Sequence, residues 1–447
     1  MLAAAIAALV AAPAALGFAP GSAGVGDPFF PEAGNGGYDV ADYDLDLRYS
    51  PNTRKLVADA EITATATQDL SAFNLDFRGP RVTSVEVDGV DAGFDRSGPE
   101  LVVTPSAGIA DGSRFRVEVG YRGRPGPLTD ADGSKEGWLA TEDGAFVVGE
   151  PQGSTTWYPA NDHPTDKATF NFEVEVPRGV EAIANGRLVE RERRRDSTTW
   201  RWRENQPMAT YLATVTIGQF EIDRSRVAGI RSLVAVDPKL PDGAGGVEES
   251  AAILKLFKRL FGPYPFDDVG AIVDDADFVG YALETQTRPI YDRTPSEVLV
   301  AHELAHQWFG NSVTLSSWPE IWLNEGFATW AEWRWDEQIG GPTTAEQLRL
   351  LERTPASEDA LWDPPPAAVP GPKELFAESV YVRGAMALEA LRQEIGEPVF
   401  LDTMRAWAAA RAYSNGTIAE FIAIAEAQSG AELNPFFDRY LYQPGKP

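Results

Sequence analysis

Two histidines four residues apart, with a glutamate beside the first, are the residues of this chain best suited to chemistry. Residues 300–325 read VAHELAHQWFGNSVTLSSWPEIWLNE and contain His302, Glu303 and His306. On a helix, residues four apart stand on one face, one turn above the other. Two imidazole nitrogens then address one point, the geometry of two of the protein ligands of a catalytic zinc. Glu303 projects beside the first histidine and can take a proton from a metal-bound water. The third ligand must come from a following element, and Glu325, in WLNEGFA, is the natural candidate. Residues 322–335 space Trp322, Leu323, Phe327, Trp330 and Ala331 as a helix does. Two antiparallel helices with a short loop between them would carry Glu325 over the two histidines. Glu332 shares its face and could bond the outer N–H of a ligand histidine. The bland alternative is a helix with solvated histidines. It is the weaker one, because the whole chain has three His and two lie in this motif. Two imidazoles and a carboxylate suit one Zn(2+), and also cobalt or manganese.

The rest of the chain must supply elements that hold these groups. At 447 residues, two to three domains are expected, and 43% apolar residues are enough for sizeable cores. A net charge of −28 argues against nucleic acid and anionic membranes as partners. The absence of cysteine removes disulfides, zinc ribbons, thiol nucleophiles and a lipidated N-terminal cysteine. Residues 1–16 are an uncharged apolar run, shorter than a membrane span needs. The run resembles the apolar part of a secretory signal peptide, with small residues around 12–23 where cleavage could occur, although no Lys or Arg precedes it. Residues 18–37 are rich in Gly and Pro and read as a linker. Residues 1–37 are therefore expected to be signal and linker. The protein is expected to be secreted or periplasmic, with no stable span after signal removal, or cytoplasmic if the run is not a signal.

From Tyr38 the pattern has period two. Segments such as DLDLRY, KLVADAEITATAT and RFRVEVGY alternate between Gly/Pro/Asp/Asn turns. Residues 38–222 therefore read as an antiparallel, sandwich-like β-domain, with 211–220 as its last strand. The acidic turn at 130–136 is not a calcium loop, since Thr141 stands where the twelfth, acidic position would fall. His163 reads as a loop or capping histidine. Residues 223–447 form a second domain. Its elements are a helix at 248–261, a buried strand at 269–273, and helices at 375–391, 398–412 and 417–429. Residues 354–372 hold six prolines and read as a loop over the cleft.

HELAHQWFGN followed by WLNEGFA resembles the gluzincin aminopeptidases, peptidase family M1, which includes aminopeptidase N and leukotriene hydrolase. The resemblance runs from about residue 38 to about 430. It implies a multidomain α+β fold: a saddle-shaped N-terminal β-domain, then a thermolysin-like, mostly helical zinc-peptidase domain. GYALETQTRPIY, at 280–291, falls where the family carries G-x-M-E-N. There an edge strand runs along the substrate and a glutamate holds its ammonium. Ala282, Leu283 and Glu284 match the middle of that motif, while Tyr281 and Thr285 stand in place of its Gly and Asn. A carboxylate is the right chemistry, since a buried ammonium needs a partner charge. By position Glu150 is a second residue for the free amine. Its flanks depart from the family's Arg-Arg and Phe-Pro-Cys, so a surface carboxylate is the alternative. Tyr381, in YVRGA, matches the tyrosine of Y-x-K-G-A, which donates to the oxyanion; Arg383 stands in place of the Lys. A phenol suits the task as a neutral donor. Full-length members continue into a large C-terminal helical domain, so a short form without it is implied.

The implied activity is zinc-dependent removal of the N-terminal residue from peptides with a free amino terminus. Three rival readings are a metallo-endopeptidase with the same zinc site, a non-catalytic peptide-binding module and an epoxide hydrolase side activity, for which no sequence feature speaks.

Overall fold

The computed structural model of the protein describes residues 17–357 and 359–447. The apolar run at 1–16, and the signal-peptide reading with it, lies outside these residues. The protein is a β-rich N-terminal domain followed by a mostly helical one, as expected. Strand Tyr38–Ser50 alternates buried and exposed residues, because successive side chains leave opposite faces of a sheet. It lies inside an eight-stranded sheet, between Lys55–Ala66 and Lys167–Pro177. The pairing with Lys167–Pro177 is parallel, which departs from the all-antiparallel expectation. Alternation reports which face is buried, not strand direction. Sheets of four and five strands complete the domain.

Glu221–Val227 straddles the expected boundary at 222, and it pairs with Ile230–Val236 in the sheet of the second domain. That sheet continues through Asp268–Val273 and Ile290–Tyr291 to the edge strand Ala282–Leu283. Residues 211–220 are not one strand. A 3₁₀ turn, Thr210–Leu212, precedes the short strand Val215–Gly218. The side chain of Asn185 sits at the break, donating to Leu212 O at 2.9 Å and accepting from Thr214 N at 2.8 Å.

Four helices matter for the cleft: α1 (Ser250–Phe261), α2 (Glu297–Ala305), α3 (Trp322–Gln338) and α4 (Glu378–Ile395). Ser296 caps α2, its Oγ accepting from Leu299 N, and Glu297 favours the positive end of the helix dipole. α3 buries Trp322, Phe327 and Trp330 completely, as a helix apolar on most sides must. It packs on both α2 and α4. The crossing with α4 runs through Gly326 and Gly384. A Cβ on Gly384 would stand 3.0 Å from Gly326 Cα, and one on Gly326 would stand 3.2 Å from Gly384 C. This close approach carries Glu325 and Tyr381, neighbours of the two glycines, into one cleft.

Two loops differ from expectation. Residues 17–37 are not a free linker. Ala19–Pro20 pairs in parallel with Leu70 and Ala72. Asp27 Oδ1 accepts from Phe29 N and Phe30 N. Its Oδ2 accepts from Ser317 Oγ and Trp318 N, both at 2.9 Å, and lies 3.4 Å from His163 Nε2. The segment thus straps the β-domain to the approach of α3, and His163 is a buried member of that strap. The proline-rich stretch does not cover the cleft: among the described residues, none between 354 and 372 lines it. Instead it carries a short helix, Asp359–Trp362, and buries Trp362. The carbonyl of Trp362 is held by Arg383 on α4.

Candidate active site

His302 and Glu303 lie on the last turns of α2, His306 caps its end, and Glu325 stands in the first turn of α3. The Nε2 atoms of both histidines converge on one oxygen, Glu325 Oε2, at 3.2 and 3.5 Å. Each ring is fixed from behind. His302 Nδ1 lies 3.3 Å from Glu332 Oε2, and His306 Nδ1 lies 3.0 Å from the carbonyl of Phe309. Such partners fix the tautomer and aim the free nitrogen inward. The three inward donor atoms all lie within 4.8 Å of one another. Two imidazole nitrogens and one carboxylate oxygen on a shared point are the donor set of a catalytic zinc, and the residues fit it.

Glu303 is buried next to this set. Burial, with Glu284 and Glu325, outweighs the pull of His302 and His306 and raises its carboxyl to about 7. A carboxyl titrating near neutrality is matched to moving protons in either direction. Tyr381 sits at the start of α4, its ring stacked beside His302 with centroids 6.1 Å apart. Burial and the surrounding carboxylates hold its phenol well above its usual range, so it stays a donor.

A cleft of about 650 Å³ opens over these groups. Glu284 and Glu150 line the same cleft, the first from the turn after the edge strand, the second from the β-domain. Each has one buried carboxylate oxygen, Oε1, without a hydrogen-bond partner. Burial raises both carboxyls, and repulsion from Glu284 raises Glu150 further. Ala282 lines the cleft. The side chain of Leu283 is buried away from it, leaving its main chain at the sheet edge. His302, Glu303, His306, Glu325, Glu332, Tyr381, Glu284, Glu150 and Ala282 thus line one cleft, and Leu283 does not. Arg383 does not face it. Its guanidinium donates to five main-chain carbonyls, of Trp362, Arg439, Tyr440, Gln443 and Gly445, and so ties the C-terminal segment to α4.

Sequence reasoning missed three contributors. Gln307 Nε2 and Asn311 Nδ2 both donate to the main-chain oxygen of Glu284, at 3.1 and 2.7 Å. They belong to the same HELAHQWFGN run, where polar residues inside an otherwise apolar stretch were the available signal. The hairpin at 130–136, read as a plain turn, places Asp132 and Ser134 on the cleft rim, and Tyr281 bonds its Lys135 carbonyl at 2.8 Å.

Residues 40–212 match the Peptidase M1 N-terminal domain, and residues 271–440 match the Peptidase family M1 domain. The chain is 31% identical to Aminopeptidase M1 of Arabidopsis thaliana over 327 residues, covering 67% of this chain and 36% of that protein. The chain therefore spans about a third of that relative's length. Among solved structures it resembles the M1 zinc metallopeptidase of Deinococcus radiodurans. That match has a TM-score of 0.88 and 30% identity, covering 95% of this chain and 98% of that one. A mutant of that enzyme, bound to a Tyr-Ser-Ala substrate, also aligns at a TM-score of 0.88, with 29% identity, 95% of this chain and 99% of that one.

Proposed function

The chain belongs to peptidase family M1, and we propose that it is an aminopeptidase that works with one zinc ion on peptides carrying a free amino terminus. The observation that carries this reading is a pair of carboxylates lining the cleft beside the metal donors. Glu284 and Glu150, each with an unbonded buried oxygen, stand beside the metal donors. A peptide ammonium would satisfy both oxygens. A peptide running on past them, as an endopeptidase requires, would set uncharged amide against buried carboxylate.

His302, His306 and Glu325 would hold the zinc. The chemistry it supplies there is Lewis acidity, which polarises a carbonyl and brings a water's pKa toward neutrality. Glu303 accepts the proton of the attacking water and returns it to the departing amine. Tyr381 donates to the carbonyl oxygen as that oxygen takes up negative charge. Glu284 and Glu150 anchor the ammonium, and the edge strand at Ala282–Leu283 offers main-chain bonds to an extended peptide. With the amine anchored, only the first peptide bond reaches the donor set, so exopeptidase action is a consequence of positioning.

Export is part of the same proposal and rests on the apolar run at residues 1–16. Sequencing the mature N-terminus tests it; an intact Met1 overturns it. Among the described residues, no helix is long and apolar enough to cross a membrane. The activity is tested by metal analysis of the purified protein, with aminoacyl fluorogenic substrates offered free and N-acetylated, with and without chelator. One zinc per chain and chelator-sensitive cleavage of the free amines alone are expected. Equal cleavage of the acetylated series overturns the amine clamp.

A further inference from the structure

Two cationic side chains cross the junction between the domains in opposite directions, and neither forms an ion pair among the described residues. Lys167 opens strand Lys167–Pro177 in the β-domain. Its Nζ donates to the main-chain oxygens of Asn311, Ser312 and Ser414 at 3.0, 3.0 and 3.1 Å. Arg288 follows Glu284 in the helical domain. Fully buried, it donates back to the carbonyls of Ala184 and Gly186, the latter at 2.9 Å. Placing a cation at a junction without a counter-charge is costly, and for adhesion alone an apolar side chain would serve better. Burial accordingly lowers the Lys167 ammonium to about 7. What such a cation adds is direction: two bonds from one atom fix the short loop at Asn311 and Ser312, and the third holds Ser414, which pairs with Val313 beside that loop.

That loop touches both halves of the cleft. Asn311 N donates to the carbonyl of His306 at 3.0 Å, which anchors the loop to the end of the metal-binding helix. Asn311 Nδ2 donates to the carbonyl of Glu284 at 2.7 Å. A continuous run of bonds therefore leads from the Lys167 ammonium to Asn311 and on to Glu284. Glu150, the other candidate for the amine, belongs to the same domain as Lys167.

We propose that Lys167 is a positioning residue for amine recognition, setting through Asn311 the separation between Glu284 in one domain and Glu150 in the other. The inference rests on the reading of these glutamates as the ammonium site. Lys167 touches neither substrate nor metal ligand. Its removal should alter how the amine is held and leave the metal in place.

The test uses the full zinc-loaded chain and four variants: Lys167→Met, the gentler Lys167→Gln, Asn311→Ala, which breaks the run while keeping the ammonium at the junction, and the Lys167→Met, Asn311→Ala double variant. Bound zinc, Tm, kcat and KM are measured on an aminoacyl amide and on its des-amino analogue. Lys167→Met and Asn311→Ala should each raise KM for the free amine about 10-fold, as displacement of a binding group does, with kcat changed far less and zinc unchanged. The double variant should be little worse than either single one, because both cut the same path. A lower Tm with unchanged KM per zinc-loaded chain, or fully additive effects, overturns the proposal. If Lys167→Met does not fold, Lys167→Gln and Asn311→Ala carry the test, and unchanged KM in both overturns it. A parent enzyme without selectivity for free amines overturns the amine reading and this inference together. A selective parent with unaltered variants overturns this inference alone.

Discussion

The metal-binding half of the cleft is built by α2 and α3, helices that follow one another in the chain and pack directly together. The half proposed to bind the amine takes Glu150 from the β-domain and Glu284 from just past the edge strand Ala282–Leu283 of the other domain. His302, His306 and Glu325 owe their geometry to helical spacing and one helix crossing. Glu150 and Glu284 come from two domains, whose junction is crossed by bonds of Lys167, Arg288 and Asp27. On the proposed function, bond breaking and substrate selection fall to parts with different mechanical support, and substitutions in each should leave different kinetic signatures.

The largest effect is expected in the metal half. Glu303→Gln should lower kcat by about a thousandfold on every substrate, by removing the proton acceptor while zinc stays bound. Activity loss together with zinc loss would show that Glu303 supports the metal instead. Tyr381→Phe keeps the ring and removes the donor. It should cost about a hundredfold in kcat with little change in KM, measured by steady-state kinetics. A change confined to KM would move Tyr381 to the binding side of the comparison.

The amine half should respond selectively. Glu284→Gln removes a charge that pairs with the ammonium. Its kcat/KM on free aminoacyl substrates should fall about a hundredfold, equivalent to about 3 kcal/mol for a lost charged hydrogen bond. The des-amino analogues should be unaffected. Glu150→Gln should do the same more weakly. Equal losses on both substrate series would erase the distinction between the halves.

The smallest effect concerns the strap. Burial raises the carboxyl of Asp27, but the bonds from His163, Trp318, Phe29 and Phe30 outweigh it and hold the group at about 2, below the 3.8 of a free aspartate. Above about pH 4 the group is charged in both the folded and the unfolded chain, and its contribution is complete. That contribution fades as pH falls from 3.8 toward 2, where the folded group takes up its proton. Asp27→Asn should therefore cost about 2 kcal/mol at neutral pH, with the difference narrowing through that window. Denaturant titrations at pH 7 and pH 3 check it, and a constant difference contradicts it.

The same division explains what the sequence disclosed. Helical spacing alone brings His302 near His306, and a short connection brings Glu325, so the metal set could be read from one stretch. Alternation in Tyr38–Ser50 announced a sheet, but nothing in it distinguishes the parallel neighbour Lys167–Pro177 from an antiparallel one. Asn311 and Lys167 are ordinary polar residues until the fold brings Glu284 and the domain junction to them. Gly and Pro dominate the strap and make it look like a linker, while five bonds converge on its single carboxylate, Asp27. Arg383 was read beside Tyr381 in one motif, yet it points to the C-terminal segment. Neighbours on a helix that are two apart do not share a face.

A crystal structure of the zinc-loaded Glu303→Gln variant with a tripeptide bound would test the division of labour most directly. The expected result places the terminal nitrogen in hydrogen-bond reach of Glu284 and Glu150, with the first carbonyl over His302, His306 and Glu325. A peptide threaded past Glu284, with residues on both sides of it and its amine in solvent, would contradict it.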